Sequence, residues 1–188
     1  MTHDRGPTLL AIARGAIAEP LGEAAPPFEL ANWLQEPGSS FVTLMLHGEL
    51  RGCIGSLSAQ RPLAEDVAFN ARAAAFQDTR FEPLSLNEFF KTDIEVSLLS
   101  APEPIAFESQ THLLSLLRPG VDGVILEYGW WRGTFLPQVW EQLPGPQAFL
   151  AHLKQKAGLP HDFWADEIRF SRYTVTKWRE SEVLEKRR

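Results

Sequence analysis

Phe41-Val42-Thr43-Leu44-Met45-Leu46-His47-Gly48-Glu49-Leu50-Arg51-Gly52-Cys53-Ile54-Gly55 reads as a strand, a turn and a second strand in one run. Its first part is rich in apolar and β-branched residues, as a buried strand requires, and His47-Gly48-Glu49 supplies the turn of an antiparallel hairpin. The return strand is unusual, because Gly52 and Gly55 flank the chain's one cysteine. Glycine weakens a strand and marks either a bulge or the close approach of something else. Alternation puts Arg51, Cys53 and Gly55 on one face, which predicts a guanidinium beside the thiol with open surface next to both.

Upstream, Leu9, Leu10, Ile12, Ala13, Ala16 and Ile17 recur at helical spacing. They predict an amphipathic helix over about 7–18, with Pro7 near its start and Pro20 past its end. The Ala/Pro-rich residues 23–27 form a connection. Downstream, residues 62–77 predict a helix whose apolar positions, Leu63, Val67, Ala68, Phe69, Ala71, Ala74, Ala75 and Phe76, nearly surround it and bury it on most sides. Asp66, Asn70, Ala73 and Gln77 form its polar stripe. Asp78-Thr79-Arg80-Phe81-Glu82-Pro83 closes it as a loop, and a short helix follows at about 86–90. Residues 93–100 alternate as a strand, Ile94, Val96 and Leu98 facing one way and Glu95, Ser97 and Leu99 the other.

A helix at 109–117 precedes a second hairpin, 123–128 and 131–136, turning at Gly129. Pro144 and Pro146 introduce a helix to about Ala157, stopped by Gly158 and Pro160. Residues 168–178 read as one long strand. Strands paired by hairpins and interleaved with helices predict an α+β fold, an antiparallel β-sheet flanked by helices. No convincing sequence repeat is present, though the two hairpin-then-helix units hint at a weak internal duplication.

At 188 residues the chain suffices for one domain with a substantial core, or for two small lobes sharing one. Hydrophobic residues at 44% and charged residues at 22% place it among ordinary globular proteins. The net charge of -6 argues against duplex nucleic acid as a partner, and the basic cluster Lys186-Arg187-Arg188 reads as a solvated tail. One cysteine permits no intramolecular disulfide, which points to a reducing compartment. Neither a signal peptide nor a run approaching the roughly 20 apolar residues of a membrane span is present, so a cytoplasmic protein is expected. One cysteine also cannot hold an iron–sulfur cluster. Phosphate-loop, dinucleotide and His-Glu-x-x-His motifs are missing, and His3, His47, His112, His152 and His161 stand at no ligand spacing. No cofactor or metal is implied.

Cys53 is the sharpest candidate for chemistry. The thiolate is the reactive form, a neighbouring Arg51 favours it, and Gly52 and Gly55 could bare amides for an oxyanion. Against this stands the habit of free cysteine to pack as a small hydrophobe. Asp78 and Arg80 read first as a hydrogen-bonded turn, with Asp78 accepting backbone amides, and second as an anion grip by Arg80. Glu95, in an apolar strand, needs a partner if buried, and Arg51 or Arg80 would serve; it then becomes a candidate acid or base. Trp130, Trp131 and Trp140 are a candidate stacking platform, with core filling as the plainer reading. His152 and Lys156, one turn apart, read as a wet helix face.

These residues resemble the AMMECR domain family. Leu50-Arg51-Gly52-Cys53-Ile54-Gly55 is that family's hallmark hexapeptide, unbroken here, followed by Asn70-Ala71-Arg72-Ala73-Ala74-Ala75-Phe76 and Asp78-Thr79-Arg80-Phe81-Glu82-Pro83. Ile94-Glu95-Val96-Ser97-Leu98-Leu99-Ser100, Gly123-Val124-Ile125-Leu126 and Gly133-Thr134-Phe135-Leu136-Pro137-Gln138-Val139-Trp140 extend the match over about 8–178. The resemblance implies a single AMMECR-like domain over 1–188, in two α+β lobes, with the hexapeptide lining a cleft. It also implies action in trans with a Memo-type protein and a radical S-adenosylmethionine enzyme, the AmmeMemoRadiSam system, in modification of a macromolecule or small molecule. Under that reading Cys53 is a nucleophile or carrier with Arg51 as its activator and Glu95 beside it. Arg80, held by Asp78, binds an anion, and Gly52, Gly55 and Asn70 complete the binding surface. The rival reading is a non-catalytic adaptor in which Cys53 packs and the sheet edge takes a peptide. RNA binding is a third.

Overall fold

The computed structural model describes residues 5–185; the expectations for the first four residues, His3 among them, and for Lys186-Arg187-Arg188 lie outside the described residues. The chain divides into two compact units, residues up to Leu99 with those from Thr176 on, and Ser100–Val175. The first unit opens with α1 (Gly6–Ala18), β1 (Pro37–Leu46), β2 (Glu49–Gly55), the short β3 (Arg61–Pro62), α2 (Leu63–Phe76), α3 (Leu86–Phe89) and β4 (Thr92–Leu99). The second holds β5 (Glu103–Pro104), α4 (Gln110–Leu116), β6 (Gly123–Tyr128), β7 (Trp131–Phe135), α5 (Pro146–Ala157) and β8 (Arg169–Tyr173). β9 (Val175–Arg179) and α6 (Glu180–Glu185) carry the chain back. The α+β class expected from the sequence is what the chain adopts, and none of the described helices is long and apolar enough to cross a membrane.

In the first unit the strand order is β2-β1-β4-β9, with β1 antiparallel to β2 and β4. The hairpin turns on His47 (φ 53°) and Gly48 (φ 84°), two left-handed residues in succession, the conformation that matches the twist of paired strands. Past the turn the register shifts between Leu44 and Met45, so Leu44 faces Gly52, Met45 faces Leu50, and Arg51 is the extra residue of a bulge. Helices α1 and α2 cover one face of this sheet. Leu9, Ile17, Val67, Ala71 and Ala74 pack there on Val42, Leu44, Ile94 and Val96, all essentially without exposed surface. Phe41, Thr43, Cys53 and Glu95 lie on the other face, half-buried.

The stripe Asp66–Asn70 of α2 faces inward, both residues being buried, while Glu65, Phe69 and Arg72 take the solvent side. The polar pair is tolerated because it is hydrogen-bonded to β1, described below. The long strand at 168–178 is two strands in two different sheets: β8 pairs with β5 and β6, and β9 lies beside β4, with Thr174 between them.

The second unit is a four-stranded sheet, order β5-β8-β6-β7, whose core gathers Leu113, Val124, Leu126, Phe149, Leu153 and Phe170. Trp140 belongs to this core rather than to a stacking platform: it is buried, lies 3.7 Å from Phe149 in a parallel stack, and donates its Nε1–H to the Asp122 carbonyl at 2.7 Å. Trp131 packs over Gly158, and Trp130 at the hairpin tip is 90% exposed. Helix α5 also buries a charge: Lys154 is almost fully enclosed, donates to Gln110 Oε1 at 2.9 Å and sits 5.5 Å from the Trp164 ring centre. His152 and Lys156 are exposed, as read.

Candidate functional site

β2 is an edge strand, and Cys53 stands opposite Thr43 with its own N–H and C=O facing away from β1. Side chains take up those outward groups. Asp78 Oδ2 accepts the Cys53 N–H at 2.9 Å, and Arg80 Nη2 donates to the Cys53 carbonyl at 3.4 Å. The loop after α2 makes this possible by turning at Asp78. Its Oδ1 accepts the Arg80 backbone N–H at 3.2 Å, and Arg80 Nε and Nη2 donate to the two carboxylate oxygens at 2.9 and 2.7 Å. The expected turn is therefore present, and it reaches across to fix Cys53. Arg80 holds the buried Asp78 carboxyl far below the ordinary carboxylate range, with the Cys53 and Arg80 amides adding to the effect against a smaller opposing cost of burial. Asp78 in turn raises the Arg80 pKa through its hydrogen bond, against a smaller cost of burial.

The Cys53 sulfur accepts a hydrogen bond from Thr43, whose Oγ1 donates to Sγ at 3.3 Å. Thr43 was not legible as a candidate. Counting back from the turn without the bulge pairs Cys53 with Val42, and only the register shift brings Thr43 opposite.

Arg51 departs from expectation. The bulge takes it out of the alternation, and its Nε and Nη2 meet the two Glu88 oxygens at 2.9 and 3.2 Å while Nη2 also reaches the Glu82 carbonyl at 2.9 Å. The charge expected to act on the thiol is paired with Glu88 instead. Glu88 is lowered from 4.5 to about 2, chiefly by Arg51, with help from the Ser85 backbone N–H and hydroxyl. Ser85 and Glu88 form a capping box on α3, and Ser85-x-x-Glu88 was the sequence signal that could have found this partner. The Phe81 ring lies 5.6 Å from the Arg51 guanidinium and 5.4 Å from that of Arg80.

Neither glycine leaves open space. A Cβ at Gly52 would lie 2.2 Å from the Ala74 carbonyl oxygen of α2, and one at Gly55 would lie 2.2 Å from the Phe41 ring. Close approach is the right reading of Gly52, but its own helix is what approaches. Asn70 is held apart from Cys53, on the inner side. There its Nδ2 donates to the Ser40 carbonyl at 3.0 Å, to Asp66 Oδ2 at 3.0 Å and to Ser56 Oγ at 3.1 Å. The same Asp66 oxygen accepts the Ser40 N–H at 2.8 Å and its hydroxyl at 2.7 Å. Glu95 shares the cross-strand row with Thr43 and Cys53, yet its partners are Arg179 at 2.8 Å and Lys177 at 3.5 Å, both on β9. Arg51 and Arg80 are held at the opposite edge, which is why neither reaches it. Among the described residues no cluster of three or more His, Cys, Asp and Glu side chains could hold a metal ion.

The sequence pattern of the AMMECR1 family matches residues 10–178. A protein of Methanothermobacter thermautotrophicus is 41% identical over 182 residues, covering 92% of this chain and 93% of its own. Protein MJ0810 of Methanocaldococcus jannaschii is 40% identical over 149 residues, 74% of this chain and 72% of its own. Among solved structures, the uncharacterized protein PH0010 of Pyrococcus horikoshii superposes with a TM-score of 0.78 at 34% identity, covering 93% of this chain and 91% of that one. With the family pattern running through both units, the chain belongs to the AMMECR1 family.

Proposed function

We propose that the Cys53 thiol is the reactive group of this protein, offered from a fixed edge strand on the outer face of the first sheet. The observation that carries this reading is the concentration of partners on one residue: Asp78 and Arg80 bind both of its peptide groups, and Thr43 addresses its sulfur. Chemistry needs such positioning, whereas a cysteine that only packs does not. In the step proposed, the thiol gives its proton to water and the sulfur adds to an electrophilic carbon of the substrate. The displaced group leaves with a proton. Arg80, not Arg51, is the cation at this residue, and Glu95 is the carboxylate two strands away in the same row. Gly52, Gly55 and Asn70 support the strand. Memo-type and radical S-adenosylmethionine proteins act in trans, supplying or consuming the substrate.

The test is alkylation of the native protein by iodoacetamide across pH 5 to 10, with mass spectrometry to locate the label. Labelling of Cys53 in the folded state, rising with pH, supports the reading. Labelling only after unfolding overturns it. A second reading, a non-catalytic adaptor, is favoured by the filled glycine positions and by the use of the Cys53 amide by Asp78. Cys53→Ser separates the two: an adaptor keeps its partner affinity and its function, whereas a nucleophile keeps binding and loses turnover.

A further inference from the structure

We infer that the Asp78–Arg80 pair guards the β2 edge against strand pairing with a second copy of this chain. An edge strand presents unpaired N–H and C=O groups that template addition of another strand, and proteins blunt such edges with bulges and charged side chains. β2 has both devices, side by side. The bulge at Arg51 breaks the outward row on one side, and at Cys53 a carboxylate oxygen stands 2.9 Å from the N–H and a guanidinium nitrogen 3.4 Å from the carbonyl. Those two side chains fill the acceptor and donor places that the C=O and N–H of a neighbouring strand would take.

The partner they exclude is another β2. Outward peptide groups at Cys53 are related to themselves by a two-fold axis, so an antiparallel pair of β2 strands centred there joins Cys53 to Cys53. In such a hydrogen-bonded pair the Cα atoms are about 5.5 Å apart, within the range a disulfide spans. This arrangement makes the guard measurable, and the inference holds whether or not Cys53 performs chemistry.

The experiment compares wild type with Asp78→Ala/Arg80→Ala, each confirmed as folded by circular dichroism. Under reducing conditions, sedimentation of the double variant is expected to show a dimer that grows with concentration beyond any self-association of wild type. On treatment with diamide, which takes up the two electrons and two protons that the paired thiols release, the variant is expected to give about tenfold or more Cys53-linked dimer than wild type. That product disappears when Cys53→Ser is added. A folded variant that sediments like wild type overturns the inference, even if its thiol cross-links faster, because faster cross-linking alone reports exposure. Should the double variant not fold, amide exchange in wild type decides. The Cys53 amide is expected to exchange more slowly than that of Gly55, which faces the same way without such a partner, and equal rates overturn the guard.

Discussion

The two units solve one packing problem in the same way and then diverge. In each, a hairpin is followed by a helix, and the hairpin's second strand carries a glycine pressed on an alanine near the helix end. A Cβ at Gly52 would meet the Ala74 carbonyl oxygen at 2.2 Å, and one at Gly133 would meet Ala157 at 2.9 to 3.1 Å. What differs is what each hairpin carries. β2 bears a thiol tied to Asp78 and Arg80, and α2 buries Asp66 and Asn70 in a network with β1. β7 follows an exposed tryptophan tip, and α5 buries a lone lysine. The shared glycine–alanine contact is scaffold, so the elaborations found on one side only are where function is to be sought.

The comparison breaks most severely at the buried polar groups of α2. Asp66→Ala leaves the Ser40 amide and the Asn70 side chain without their shared acceptor in a fully enclosed place, and is expected to lower stability by about 3–5 kcal/mol in urea unfolding. Next comes the glycine pair. Gly52→Ala drives a methyl into helix backbone, which cannot swing aside, and is expected to lower stability by about 3 kcal/mol; Gly133→Ala, with a looser contact, is expected to lose about 1–2 kcal/mol. Equal losses at the two glycines would mean the two contacts are equally tight, and no loss at either would mean the helices do not rest on their hairpins by this contact.

Much of this was legible beforehand, and the failures share a cause. The hairpins, the helix at 146–157 and its stop at Gly158 follow from alternation, proline and glycine, all local signals. The inward turn of Asp66 and Asn70 was not legible, because hydrophobic periodicity gives the polar stripe to solvent, and only Ser40 and Ser56 on other elements reverse that choice. Arg51 is misplaced and Thr43 missed through one residue of register: a bulge is announced by glycine but not located by it. Lys154 carried no sequence signal at all, since it sits among Lys and Gln on a helix with exposed neighbours.

A smaller effect tests the β2 edge by pH. Glu88 titrates at about 2 in the folded protein against 4.5 ordinarily, and Asp78 is held lower still. Both are depressed acids, so their contribution is fully present above the ordinary carboxylate range and is lost as pH falls through the folded values. Between about pH 4.5 and 2 the Glu88–Arg51 contact should weaken, read as a fall in unfolding free energy in urea across that range. Glu88→Gln should remove about 1 kcal/mol of the acid-sensitive stability, a modest figure because Glu88 is 30% exposed and screened.

The smallest expected change, and the one that sharpens the contrast most, is at Lys154. Burial lowers its pKa, with Asp162 opposing. The unfolded chain keeps the proton up to the ordinary 10.5, so between the folded value and that limit the unfolded state binds more protons and stability rises with pH. A charge that the fold holds at its own expense should be dispensable. Lys154→Met keeps the length and apolar stem, gives up the Gln110 hydrogen bond and the ammonium's place over the Trp164 ring, and is expected to cost nothing and to add up to about 1 kcal/mol at neutral pH. It should also flatten the alkaline rise in stability, measured as urea midpoints at pH 7 and pH 10. A loss as large as that at Asp66 would instead mean that the lysine, like the aspartate, organises its helix, and that the two units differ less than their strands suggest.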